Sequence, residues 1–223
     1  MTPRALSLLS GGLSALLALL LLFALWDTPV HGGVSASVAG AMGRTGVEHA
    51  VTAVLLDFRG YDTLLEMGVV LLAVLATWSL GRCHRLPAGP VQGPVMRGGL
   101  RHLIPLAVLT GGYLIWAGGA GSGGAFQGGA VLAASGVMWV LAWPRRPELP
   151  APVWLRLGVT LGVVVFLTIG VVGLPLGPGF MGYPSEWAYA LILSVETAAA
   201  CSIALSLVLL FLGGRTWRDA EDV

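Results

Sequence analysis

The chain has 223 residues, 56% hydrophobic and only 10% charged, with a net charge of +1 at neutral pH and a mean hydropathy of +0.86. Soluble domains carry roughly 25% charged residues, so the composition places the chain in the membrane class. It also excludes nucleic-acid binding, which requires a clustered basic surface.

A spanning helix needs about 20 mostly apolar residues, and six segments meet that length. The first covers residues 5–26, ALSLLSGGLSALLALLLLFALW. Its apolar core exceeds the roughly 7–15 residues of a signal-peptide core, so it is expected to be retained as a span. A long outer loop follows over 27–60. Within it, residues 45–57 suit an amphipathic surface helix, with Thr45, Glu48, His49 and Thr52 on one polar stripe. Gly60 permits a bend, and a second span runs over 61–81. Residues 86–100, LPAGPVQGPVMRGGL, read as a linker. Four further spans are expected at 101–118, 125–143, 153–174 and 186–213. The glycine-rich AGGAGSGGAFQGG between the third and fourth predicts a tight helical pair or partly broken helices. The expected fold is therefore all-α: a polytopic membrane protein with about six transmembrane helices and one amphipathic surface helix. Three parts follow: a two-span module over 1–85, the linker, and a four-span module over 101–223.

Six crossings place Arg4, Arg82, Arg85, Arg97, Arg101, Arg145, Arg146, Arg156, Arg215 and Arg218 on one side. By the positive-inside rule that side is the cytoplasm, with both termini inside. Cys83 and Cys201 should sit at different membrane depths, too far apart for a disulfide, and are read as free thiols.

The charged stretch before the second span is the most informative part of the chain. Asp57, Arg59, Asp62 and Glu66 fall within ten residues. Asp62 and Glu66 are four apart and share a helix face, with Thr63 beside them. Arg59 and Asp57 are read as charge partners at the interface, where acids also suit a helix N-terminus. Glu66 lies deeper and is followed by MGVVLLAVLATWSL, which has no other charge. An ionised carboxylate there costs roughly 2.5–3.5 kcal/mol, so it should face protein or water, pair with a cation, or be protonated. Glu196, in LILSVETAAACSIALSLVLLF, is the deepest charge. Thr197 and other small polar residues flank it, and its alanines allow close helix approach. Intramembrane carboxylates mark ion pathways more often than structural glue. Asp62, Glu66, Glu196, Thr63 and Thr197 are thus the expected ion path.

Gly123, Gly124, Phe126, Gln127 and Gly128 predict a helix-packing turn; the stretch lacks the Lys-Ser/Thr end of a phosphate-binding loop. His31, His49, His84 and His102 show no metal spacing, and His49 alone lies near the carboxylates. There is no nucleophile–base constellation, cofactor motif or redox cysteine pair. No cofactor or metal is expected, and the chain is read as a transporter subunit rather than an enzyme.

These residues carry a family resemblance. HAVTAVLLDFRGYDTLLEMGVVLLA resembles the C-terminal end of the large A subunit of Mrp-type multisubunit cation/proton antiporters. The same segment forms a small separate subunit in energy-converting membrane-bound hydrogenases. His49, Asp57-Phe58-Arg59-Gly60-Tyr61-Asp62-Thr63 and Glu66 carry the match. Residues 99–213 are similar to the four-span B subunit of the same antiporters. Its hallmark Pro-Gly-Gly-Gly-Phe-x-x-Gly turn appears here as Gly123-Gly124-Ala125-Phe126-Gln127-Gly128-Gly129 after Ser122, with the proline missing and one glycine replaced by alanine. The resemblance implies a fusion of two neighbouring antiporter modules. It further implies partner subunits in a hetero-oligomer, Na+ and H+ as the ions, and a bacterial or archaeal cell membrane. Two other functions stay open: a membrane arm coupled to redox chemistry, as in membrane-bound hydrogenase or complex I-like assemblies, and a purely structural subunit.

Overall fold

Lipid offers no hydrogen bonds to the backbone, so a chain of this composition satisfies its peptide groups internally, as helices. The computed structural model describes residues 3–26, 35–80, 93–142, 152–175, 180–184 and 186–213, and every long element among them is a helix. The linker's residues 86–92, Cys83, His31, His84 and the arginines at 82, 85, 145, 146, 215 and 218 lie outside the described residues. Two compact units result, Met1–Ala39 and Gly40–Val223.

The first unit holds α1 (Pro3–Trp26), which matches the expected first span; α2 (Ser35–Ala41) begins in it. Five helices of the second unit, or nearly all of each, are long and apolar enough to cross a membrane. They are α4 (Gly60–Ser79), α5 (Pro94–Ala117), α6 (Ala125–Ala142), α7 (Pro152–Gly173) and α8 (Ala188–Phe211), with the short α3 (Ala50–Ala53) preceding them. α1, whose described apolar stretch is Gly11–Ala24, accompanies these five.

Two boundaries differ from expectation. Residues 94–100, assigned to the linker, form the first turns of α5; Pro94 takes the first helical position, where its missing N–H has no intrahelical partner to lose. The surface helix predicted over 45–57 is shorter. It begins at Ala50 and passes at Val54 into a π-helical turn that ends at Phe58. The physical reason is that the N–H groups of Glu48 and His49 both donate to the Gly119 carbonyl, at 3.1 Å each, which holds these residues outside a helix. One side of the remainder is buried: Thr52, Ala53 and Leu56.

α8 is the hub and packs against α4, α5, α6 and α7. No hydrophobic force drives helices together in lipid, so contact depends on close backbone approach at small residues. A methyl group at Gly128 would lie 2.9 Å from the Gly111 carbonyl, which marks the α5–α6 crossing. A methyl at Gly162 would lie 2.9 Å from Cα of Ala199, which marks the α7–α8 crossing. Ser202 on α8 adds a hydrogen bond of 2.6 Å to the Val159 carbonyl. The main core joins Ile115, Phe166, Met181, Ile192, Val195, Ala199, Ala200 and Ile203 to Val47, Ala53, Leu56 and Met67. Residues of the two expected modules therefore share one core.

Candidate functional site

The loop after α5, the chain before α4 and the chain before α8 meet at one end of the helix bundle. Glu196 stands on α8 about 12 Å along the axis from Ala188, at ~1.5 Å per residue. It is only 4% exposed and lies among Ile192, Val195, Ala199 and Ala200.

Glycines make room for its carboxyl. The loop between α5 and α6 folds back on the helix end: Gly121 N–H donates to the Ala117 carbonyl and Gly124 N–H to that of Leu114, each at 2.8 Å. Gly124 has φ +115°, a conformation that only glycine adopts without strain. A methyl at Gly124 would sit 3.0 Å from Glu196 Oε1, and one at Gly118 would sit 3.1 Å from it. The carboxyl thus lies directly against bare backbone. Among the described residues, no cation and no hydrogen-bond donor reaches it.

A strap over residues 46–53 crosses this loop. Besides the two N–H bonds to Gly119, Thr52 Oγ1 donates a short hydrogen bond to the Gly118 carbonyl. His49 Nδ1 lies 3.4 Å from Thr52 Oγ1. The single hydroxyl proton of Thr52 goes to Gly118, so its oxygen accepts from His49, and Nδ1 carries a hydrogen. His49 is half-buried.

The π-helical turn continues the strap. Arg59 N–H donates to the Val54 carbonyl at 2.8 Å. Thr63 Oγ1 donates to the Leu55 carbonyl at 2.7 Å, and the Tyr183 hydroxyl to that of Leu56 at 3.3 Å. Burial raises the Asp57 carboxyl above its ordinary value. Burial, and second the charge of Asp57, push the Tyr183 phenol up. Tyr61 stacks on Phe180 at 4.4 Å, tying the start of α4 to the chain before α8.

The expected site residues are therefore distributed. Glu196, Gly124, His49 and Thr52 share the strap-and-loop region. Asp62 is paired with Arg59 at 2.6 Å on an exposed surface. Glu66 is exposed on α4. Thr63 is buried and bonds the π-helical turn. Thr197 is exposed and donates to its own helix at Leu193; it lines an open groove of about 440 Å³ with Ser194 and Cys201. Cys201 is a free, exposed thiol. In the glycine turn, Gly124 lies against Glu196, Gly123 packs on the Leu114 carbonyl at the end of α5, Gly128 packs on α5, Phe126 joins the core and Gln127 is exposed. Gly118 and Tyr183 are contributors that sequence reasoning did not single out. The Gly118-Gly119 pair was the available signal, since adjacent glycines mark close backbone approach.

A family model described as a domain related to the MnhB subunit of Na+/H+ antiporter matches residues 95–217, which is 123 of the 223. The chain belongs to this family. A second model, that of the E subunit of MBH, matches residues 4–97 of this MnhB-related chain. An uncharacterized protein of Methanocaldococcus jannaschii is 28% identical over 156 residues. That match spans 59% of this chain and 58% of the relative's own length. A chain in the Mrp complex from Dietzia sp. superposes with a TM-score of 0.65 at 23% identity; the match covers 96% of this chain and 26% of that one. A chain in the membrane-bound sulfane sulfur reductase, an archaeal respiratory membrane complex, matches at TM-score 0.64 and 25% identity, over 94% of this chain and 99% of that one. The MnhB-related chain is a multi-pass membrane protein whose structural neighbours are parts of multisubunit membrane complexes.

Proposed function

We propose that this chain is a membrane subunit of an Mrp-type monovalent cation (Na+)/proton antiporter, with Glu196 as the central carboxyl of its ion path. The observation that carries the reading is Glu196 itself: a buried carboxyl on the hub helix, against bare glycine backbone and without a described cation. Such a group costs free energy to keep, and it can hold either a proton or a cation but not both at once. Cation entry then releases the carboxyl proton, and proton return releases the cation, so the site's charge is conserved through the exchange. Gly118, whose backbone lies against Glu196, offers a carbonyl oxygen of the kind that hard cations take. Asp62, Glu66, Thr63 and Thr197 extend the path toward neighbouring subunits, with Arg59, Asp57 and His49 biasing its charge. The six-crossing orientation, both termini in the cytoplasm of a bacterial or archaeal cell, belongs to the same reading.

The test is cation/proton exchange in everted vesicles holding the assembled complex. Glu196→Gln should abolish exchange while leaving assembly intact; normal exchange in that variant sinks the proposal.

A second reading is favoured by the match of residues 4–97 to the E subunit of MBH and by the similarity to a respiratory complex over 99% of the matched chain. Here the same carboxyl would serve a membrane arm driven by redox chemistry in other subunits. Co-purification of redox subunits with this chain, in place of antiporter subunits alone, decides for it. A merely structural subunit would have no water route to Glu196, which an ordered-water map of the complex would reveal.

A further inference from the structure

We infer that the outer face of α4 is the docking surface for a helix of another membrane subunit, and that this helix places a lysine or arginine against Glu66. The inference rests on the multisubunit part of the reading above and not on antiport.

α4 has two unlike faces. Gly60, Thr63, Met67 and Val74 are buried. Tyr61, Leu65, Glu66, Val69 and Leu72 are exposed. An exposed apolar row is what any membrane span offers to lipid; a carboxylate in that row is not. Glu66 is the seventh residue of α4, about 9 Å along the axis from Gly60 at ~1.5 Å per residue. Acyl chains there penalise an ionised carboxyl, so the group needs cover.

Within Gly40–Val223 no described side chain supplies it. Arg59 is already bound to Asp62. Glu66 lies one turn below Asp62 and adds a second negative charge on the same side. Arg59, Asp62 and Glu66 together leave one negative charge unmatched. Charge complementarity therefore specifies a cationic side chain set in an otherwise apolar helix. A second copy of this chain fits poorly, because a two-fold pairing of α4 faces brings one Glu66 toward the other.

The test uses the full complex in its own membrane, with p-benzoylphenylalanine incorporated at position 65 or 69. Irradiation should link this chain to another subunit, and the linked peptide should carry a lysine or arginine within an apolar span. Glu66→Lys should lower recovery of the assembled complex at least tenfold, and reversing the partner's cation to glutamate should restore it. Crosslinks confined to lipid or to a second copy overturn the inference, as does wild-type assembly of Glu66→Lys. If Glu66→Lys itself fails to accumulate, the crosslinks decide. Crosslinks to a basic apolar helix in a complex without exchange activity leave the docking surface standing and remove antiport alone.

Discussion

Thr52 Oγ1 donates a hydrogen bond to the Gly118 carbonyl across 66 positions of sequence. This bond fastens the segment preceding α4 to the loop that lies over Glu196. Thr52→Val keeps the shape and removes the donor, so a buried carbonyl loses its partner at a cost of about 1–3 kcal/mol. The expected outcome is a lower melting temperature of the purified complex and reduced exchange. Thr52→Ser should restore both, because it returns the hydroxyl.

Gly124 bears on the same site through its backbone. With φ +115°, any side chain is strained there, typically by about 1–3 kcal/mol. A Cβ would also press on Glu196 Oε1 from 3.0 Å. Gly124→Ala should therefore impair exchange more than its loss of stability accounts for. Comparing exchange with Gly123→Ala at matched expression, against the melting temperatures of both, checks this.

The α7–α8 crossing gives a purely structural control. Gly162→Val must force Ala199 and Ser202 away, and a methyl alone would lie 2.9 Å from Cα of Ala199 and 3.0 Å from Cβ of Ser202. Overpacking of this kind costs typically about 1–3 kcal/mol. Melting temperature should fall, and the Ser202 bond to Val159 should weaken with it, while remaining exchange per folded complex keeps its ion preference.

Asp57 yields a pH prediction. Burial raises its folded value above the ordinary 3.8, so the fold favours the neutral form. Its contribution to stability is complete below about pH 4 and is lost as pH rises through the raised folded value. Asp57→Asn should therefore melt higher than wild type at neutral pH, and the difference should vanish on acidification. An unchanged difference across that range would show that burial does not govern this carboxyl.

The Arg59–Asp62 pair should matter little to stability. It is exposed, with side chains 65% and 44% accessible, and such pairs contribute about 0–1 kcal/mol. Arg59→Gln should shift the melting temperature only slightly. A large drop would mean that Arg59 is covered in the assembly.

The five long helices of the Gly40–Val223 unit, and α1 before it, were determined by the sequence, because apolar length alone decides whether a segment becomes a membrane helix. Glu196 stood out for the same reason: a charge deep in an apolar run has few cheap explanations. The polar stripe from Thr45 to Thr52 was legible as polarity but not as geometry. Helical periodicity predicted one continuous helix, whereas the N–H groups of Glu48 and His49 bond to Gly119 and the helix begins only at Ala50. Likewise Glu66 and Glu196 looked alike in sequence, yet one is exposed on α4 and the other buried on α8. Composition and local periodicity fix which segments are helices because those preferences act within a few turns. Which face of each helix is covered, and which loop closes over a buried carboxyl, depends on partners far away in the chain, and only the packing of the helices decides it.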